Sequence, residues 1–120
     1  MYRINFNSLT RRKKKYNNKT QEYNGQRYDS IKEANYAEEL DWRMKAGEVS
    51  RWQRQVKIDL KINNIHITNY YIDFIVYLTN GTKQYVEVKG FETEVWRLKW
   101  KIFEAIYNEQ EPEAELLIIK

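Results

Sequence analysis

The sequence predicts an α/β (α+β) fold in the order helix, three strands, helix, strand (αβββαβ), with a mixed central sheet flanked by helices. Three observations predict it: a Ser-capped helical stretch near residue 30, three strand-like runs in succession separated by Asn and Gly turns, and a second capped, amphipathic helix followed by a short apolar run. With 120 residues, 42% of them hydrophobic and 32% charged, the chain is long enough to bury one core.

The elements follow in order. Glu22 to Tyr28 brackets Asn24-Gly25, the preferred pair for a tight hairpin turn. Ser30 followed by Glu33 forms a capping box, which starts a helix that runs to about Ala46 and stops at Gly47. Residues 51 to 62 alternate Val56, Ile58, Leu60 and Ile62 with Gln55, Lys57, Asp59 and Lys61, as a half-buried strand does. Asn63-Asn64 turns the chain into residues 65 to 78, too rich in Ile, Tyr, Phe and Val for a helix of that length. Lys83 to Lys89 is a third strand. Thr93 caps a helix from Glu94 to about Asn108, with Val95, Leu98, Ile102, Ala105 and Ile106 as its apolar stripe. Trp96, Trp100, Phe103 and Tyr107 recur beside that stripe as a second packing face or a dimer surface. Pro112 breaks the helix, and Leu116 to Ile119 is a short buried strand.

Composition removes several functions. The mean hydropathy of −0.88 and the lack of a long apolar run argue against a membrane span. No apolar segment follows the polar, basic N-terminal residues, so no secretory signal is expected and the expected location is the cytoplasm. Without cysteine, and with His66 the single histidine, zinc chemistry lacks its usual ligands; any metal would be held by oxygen. No organic cofactor is expected, and His66 is expected to be structural.

The formal charge of +4 averages two unlike parts. Residues 1 to 30 carry eight basic groups against two acidic ones, and residues 31 to 120 carry 13 against 15. The source is the run Arg11, Arg12, Lys13, Lys14, Lys15. It can be a solvated tail or an arm that binds phosphates, and the run itself does not decide between them. We therefore divide the chain into a basic arm, residues 1–20, flexible or exchanged between subunits, and a domain, residues 21–120.

The informative residues are polar groups at positions patterned as apolar. Glu33 lies on the helix stripe of Ala37, Leu40 and Met44, although the capping box alone would also place a Glu there. Asp73 interrupts the most apolar strand, where a lone carboxylate costs several kcal/mol unless paired, protonated or metal-bound. Glu87 and Lys89 share a face of the third strand. The hairpin register relates them. A two-residue Asn80-Gly81 turn would mix the faces, with Phe74 opposite Glu87. A three-residue Thr79-Asn80-Gly81 loop pairs Phe74 with Val86 and Ile75 with Tyr85, gives an apolar face of Ile72, Phe74, Val86 and Val88, and sets Asp73 opposite Glu87. Two carboxylates so placed repel by about 4 kcal/mol at ~4 Å and an effective dielectric of about 20. A divalent cation between them relieves that, and oxygen ligands with room for water suit Mg²⁺ or Mn²⁺.

With a helix Glu33, a strand Asp73 and Glu87-Val88-Lys89 on the next strand, the sequence resembles the PD-(D/E)XK nuclease superfamily and its restriction-endonuclease-like core. Tyr28-Asp29-Ser30, Ala34, Tyr36, Gly47-Glu48, Gln55, Tyr71 to Phe74, Val86 to Phe91, Thr93 and Lys99 to Phe103 make it similar to a family of small phage-encoded endonucleases. That family is itself similar to the phage endonuclease I that resolves Holliday junctions. The likeness covers about residues 20 to 110. Ile72 stands where the superfamily signature has Pro, and Val56 follows Gln55 where relatives often have Pro.

The resemblance implies a Mg²⁺-dependent (or Mn²⁺-dependent) endodeoxyribonuclease of phage or mobile-element origin that acts on branched DNA, as a homodimer because a two-fold junction needs two symmetric nicks. It implies that Asp73, Glu87 and the Val88 carbonyl bind metal, that Glu33 completes a second metal or orients its water, and that Lys89 positions the nucleophile. Gln55 aligns Lys89 or a phosphate. Arg97, Lys99 and Lys101, with Arg11 to Lys15, would hold flanking phosphates of the DNA. Two alternatives stay open: a duplex or end-cleaving nuclease of a packaging, restriction or transposition system, and a non-catalytic DNA-binding protein of the same fold.

Overall fold

A computed structural model describes residues 21–120, so the basic run Arg11 to Lys15 lies outside the described residues. The hairpin strands β1 (Gln21–Tyr23) and β2 (Gln26–Tyr28) pair through a turn with Asn24 and Gly25 both at positive φ. Then come α1 (Ile31–Lys45), β3 (Val49–Ile62), β4 (Ile65–Leu78), β5 (Lys83–Val88), α2 (Glu94–Gln110) and β6 (Glu115–Ile119). β3 to β6 form one sheet in chain order, antiparallel except for the parallel β5–β6 pair that the α2 crossover makes possible. The α+β mixed sheet expected from the sequence is the one observed. No helix among the described residues is long and apolar enough to cross a membrane.

Local chemistry sets the boundaries. The Ser30 hydroxyl accepts the Glu33 N–H, and Thr93 accepts that of Trp96. At the end of α1, Gly47 at φ +82 lets the Gly47 and Glu48 amides donate to the Met44 and Arg43 carbonyls. Asn63 and Asn64, both left-handed, form the two-residue turn between β3 and β4. Thr79-Asn80-Gly81 is the three-residue loop. Leu78 and Thr82 close it, Gly81 adopts φ +95, and Phe74 pairs with Val86 and Ile75 with Tyr85. The two-residue Asn80-Gly81 turn does not form.

The helices cover opposite faces of the sheet. Ala34, Tyr36, Ala37 and Leu40 of α1 pack with Tyr28, Phe74, Val76, Val86 and Val88. On the other face Trp96, Trp100 and Phe103 of α2 pack with Ile58, Leu60, Tyr70, Ile72, Ile75 and Tyr85. Four expectations change. β6, expected to be buried, is an edge strand with Leu116 and Leu117 half-buried and Ile118 and Ile119 exposed. Ile72 belongs to the α2 face, apart from Phe74, Val86 and Val88. The cause lies opposite Asp73: Gln55 is left-handed, at φ +50, and both strands change face there without losing register. Trp52 and Arg54 lie on the α1 side, Arg54 over the Tyr28 ring, whereas Val56 and Ile58 lie on the α2 side.

The core stripe of α2 is aromatic. Val95 is 65% and Leu98 62% exposed, while Trp96, Trp100 and Phe103 are buried. Met44, placed on the α1 stripe by periodicity, is 40% exposed because the helix is ending beside Gly47. Of the two tryptophans near that turn, Trp52 packs on the α1 core and donates to Asp41, and Trp42 is exposed beneath Lys45. His66 is exposed and pairs with Asp59.

The aromatic assignment of the α2 core separates two substitutions. Trp100→Ala should cost about 3–5 kcal/mol in urea unfolding, whereas Leu98→Ala should change stability by less than about 0.5 kcal/mol. Equal costs would contradict it.

Candidate functional site

The middle of β4, the end of β5, the start of α1, the left-handed Gln55 and the first turn of α2 together border an open cleft of about 400 Å³. Glu33, Gln55, Asp73, Glu87, Val88 and Lys89 all line it. Sequence spacing put these residues on separate elements, and the fold brings them to one place. Ser30 fixes the first turn of α1, and thus carries the buried Glu33 into the cleft. The β4–β5 ladder pairs Phe74 with Val86, and the next residues of the two strands, Asp73 and Glu87, lie close enough to shift each other's protonation.

Each oxygen of this pair has a partner. Asp73 Oδ1 accepts the Gln55 amide at 3.0 Å and Oδ2 accepts the Val88 N–H at 2.9 Å. Glu87 Oε1 accepts the Tyr70 hydroxyl at 2.7 Å, and Oε2 lies 3.7 Å from the Lys89 ammonium. A carboxylate oxygen has two lone pairs, so these bonds orient the groups without exhausting them. Lys89 Nζ also stands 5.0 Å from the centre of the Trp96 ring.

The electrostatics are those of an anionic cluster in a poorly solvated place. Burial, and next the Asp73 charge, pushes the Glu87 carboxyl up to about 8. Burial, followed by the charges of Asp73, Asp29 and Glu87, also pushes Glu33 up to about 8, with Arg54 opposing. Asp73 is raised by burial and held back by the Val88 N–H, the Lys89 charge, the Gln55 amide and the Glu87 contact. The Asp73–Glu87 pair therefore titrates as a unit, and burial favours its keeping a proton toward neutral pH.

The cleft is open to solvent, and Tyr71, Phe91 and Val95 are exposed on its border. Of the three cations expected on α2, Lys99 lines the cleft and donates to the Asn69 carbonyl at 3.4 Å. Arg97 pairs with Glu92 at 3.7 Å and Lys101 with Glu104 at 3.9 Å, and neither lines the cleft. Sequence reasoning missed Tyr70 and Trp96, whose polar atoms are joined at 3.2 Å beside Glu87. Their apolar bodies carry the same periodic signal as any core aromatic. Arg54 was missed too, because only the change of face at Gln55 brings it toward Glu33.

Among the described residues no group of three or more His, Cys, Asp and Glu side chains stands ready to hold one ion. The donor set is a pair of carboxylates, Asp73 and Glu87, with Glu33 nearby.

The profile of a family described as "Protein of unknown function (DUF1064)" matches residues 13–115, and the chain belongs to that family. No curated protein and no solved structure matches it.

The raised carboxyl groups fix a pH dependence. In EDTA the folded protein keeps protons on Glu33 and Glu87 up to about 8, whereas the unfolded chain releases them near 4.5. The folded state thus binds more protons in that window, and stability falls as the pH rises through it. Thermal melts should show Tm dropping between pH 5.5 and 8.5, with a shallower drop for Glu33→Gln. A Tm that rises with pH over this range would contradict the assignment.

Proposed function

We propose that this member of the DUF1064 family is a metal-dependent DNA endonuclease of the PD-(D/E)XK type that hydrolyses phosphodiester bonds in branched DNA. The observation that carries the proposal is the buried Asp73–Glu87 pair at the floor of an open cleft, with Lys89 beside it. Burial pushes both acids up, and the Asp73 charge raises Glu87 further against the pull of Lys89; a divalent ion would offset that cost, and hard oxygen donors suit Mg²⁺ or Mn²⁺. The chemistry of the donors fits such an ion: Mg²⁺ commonly takes one or two carboxylates and keeps several waters, so a third acidic ligand is not required.

Asp73, Glu87 and the Val88 carbonyl would hold the ion, and Glu33 would hold a second one or orient its water. A bound divalent ion would polarise the scissile phosphate and lower the pKa of an attacking water. Gln55 and the Val88 N–H fix the Asp73 carboxylate in place before any ligand arrives, so its orientation costs nothing at the moment of reaction. Lys89 brings the positive charge, positions the nucleophile and stabilises the charge that develops on the phosphate. Lys99 at the cleft and the basic run Arg11 to Lys15 would hold flanking phosphates, which sets position without reading sequence. The preference for branched DNA and the homodimer rest on the resemblance of the motif residues and on the two nicks that a two-fold junction requires.

The test is cleavage of matched four-way-junction and linear duplex DNA in Mg²⁺, Ca²⁺ or EDTA. Wild type should nick the junction in Mg²⁺ only, and Asp73→Ala and Lys89→Ala should lose about 100-fold or more in rate. Variants that cut as well as wild type would remove the proposed site. Equal cutting of both substrates would favour a duplex or end-cleaving nuclease, and binding without cutting a DNA-binding protein of the same fold.

A further inference from the structure

We infer that Tyr70 and Trp96 are positioning residues that fix one oxygen of Glu87 and leave the other facing Lys89. The inference rests on the metal-site reading of Glu87 and extends it to two residues that the motif does not contain. All three groups are buried: Tyr70 and Glu87 are each 3% exposed and Trp96 is 8% exposed. Buried polar atoms at this depth need partners, and here they partner one another.

The directions of the bonds follow from what each atom can do. An indole N–H only donates, so at 3.2 Å the Tyr70 oxygen is the acceptor from Trp96. A hydroxyl has one proton. With its oxygen already receiving the indole N–H, Tyr70 turns that proton toward Glu87 Oε1, 2.7 Å away. Oε1 is thereby pinned, and Oε2 is the oxygen beside the Lys89 ammonium, at 3.7 Å. The same indole carries Lys89 over its face at 5.0 Å. One side chain therefore braces the acid through Tyr70 and the lysine through its ring.

The brace has a fixed base. Trp96 lies in the first turn of α2, where the Thr93 hydroxyl accepts its backbone N–H at 3.0 Å, and its ring stacks on Trp100 with centroids 6.0 Å apart. A core role alone would be satisfied by any large aromatic at 96 and by Phe at 70. The two polar atoms are what the core does not need.

Two isosteric changes separate those roles. Tyr70→Phe keeps the ring and deletes the hydroxyl, and Trp96→Phe keeps an aromatic face and deletes the N–H. Mn²⁺ binding by calorimetry, with circular-dichroism melts as a check on folding, reads the effect without any nucleic acid. Tyr70→Phe should weaken Mn²⁺ about 10- to 100-fold, in the range found for groups that orient metal ligands. Trp96→Phe should weaken it less, and in the Tyr70→Phe background should add no more than about twofold, because both act through one hydroxyl. Mn²⁺ affinity of Tyr70→Phe within about twofold of wild type overturns the inference, as do fully additive effects. If Tyr70→Phe does not melt cooperatively, Trp96→Phe decides alone, and an affinity equal to wild type overturns it. Asp73→Ala distinguishes the deeper failure: if that variant binds Mn²⁺ like wild type, the metal site itself is wrong.

Discussion

Two carboxyl groups, Asp73 and Glu87, are held against each other where water is scarce, and the surrounding structure answers to that constraint. Like charges in such a place cannot both ionise without a counter-charge, so a proton is held to near-neutral pH. The neighbours contribute according to what they can donate: the Gln55 amide, the Val88 N–H and the Tyr70 hydroxyl each reach one of the acid oxygens, and Lys89 supplies the adjacent cation. A buried pair of this kind is a poor way to stabilise a fold, since an apolar pair of similar volume would pack at less cost. Its position beside an open cleft, with a lysine at hand, is what the proposed metal and phosphate chemistry rests on.

The register of one hairpin creates the pair. Gly81, at φ +95, permits the three-residue loop, and the register it sets, Phe74 opposite Val86, leaves Asp73 and Glu87 as the next residues of the two strands. A second local event sits opposite Asp73. Gln55 takes up a left-handed conformation that costs a residue with a Cβ about 1 kcal/mol or more, and its amide is held on Asp73. There the β3–β4 ladder changes face. The long hairpin serves the α1 core on one side of that point and the α2 core on the other, and the cleft lies where the two meet.

This explains which parts were legible in advance. The elements, the caps at Ser30 and Thr93 and the loop ending in Gly81 follow from residue types with strong local preferences, while the gathering of Glu33, Asp73, Glu87 and Lys89 came from the hairpin register and the resemblance of the motif residues. The change of face does not: it sits on a Gln, in a strand whose hydrophobic alternation continues unbroken in the sequence, so Ile72 was grouped with Phe74. The packing face of α2 was misjudged for another reason. Val95, Leu98 and Ile102 mark one helical stripe and Trp96, Trp100 and Phe103 the next, and periodicity does not say which the sheet receives. The larger rings cover more apolar area, and they take the core. Tyr70 and Trp96 were invisible as site residues because their polar atoms matter only once three separate elements are packed together.

The central claim is that Asp73 and Glu87 are drawn together to share a cation. Anomalous diffraction from crystals grown with Mn²⁺ tests it most directly. The account predicts an anomalous peak between the two carboxylates, within about 2.0–2.6 Å of an oxygen from each, with Glu33 close by and Lys89 at its edge. Well-ordered carboxylates with no peak between them in saturating Mn²⁺, or a separation between them of more than about 8 Å, would contradict it.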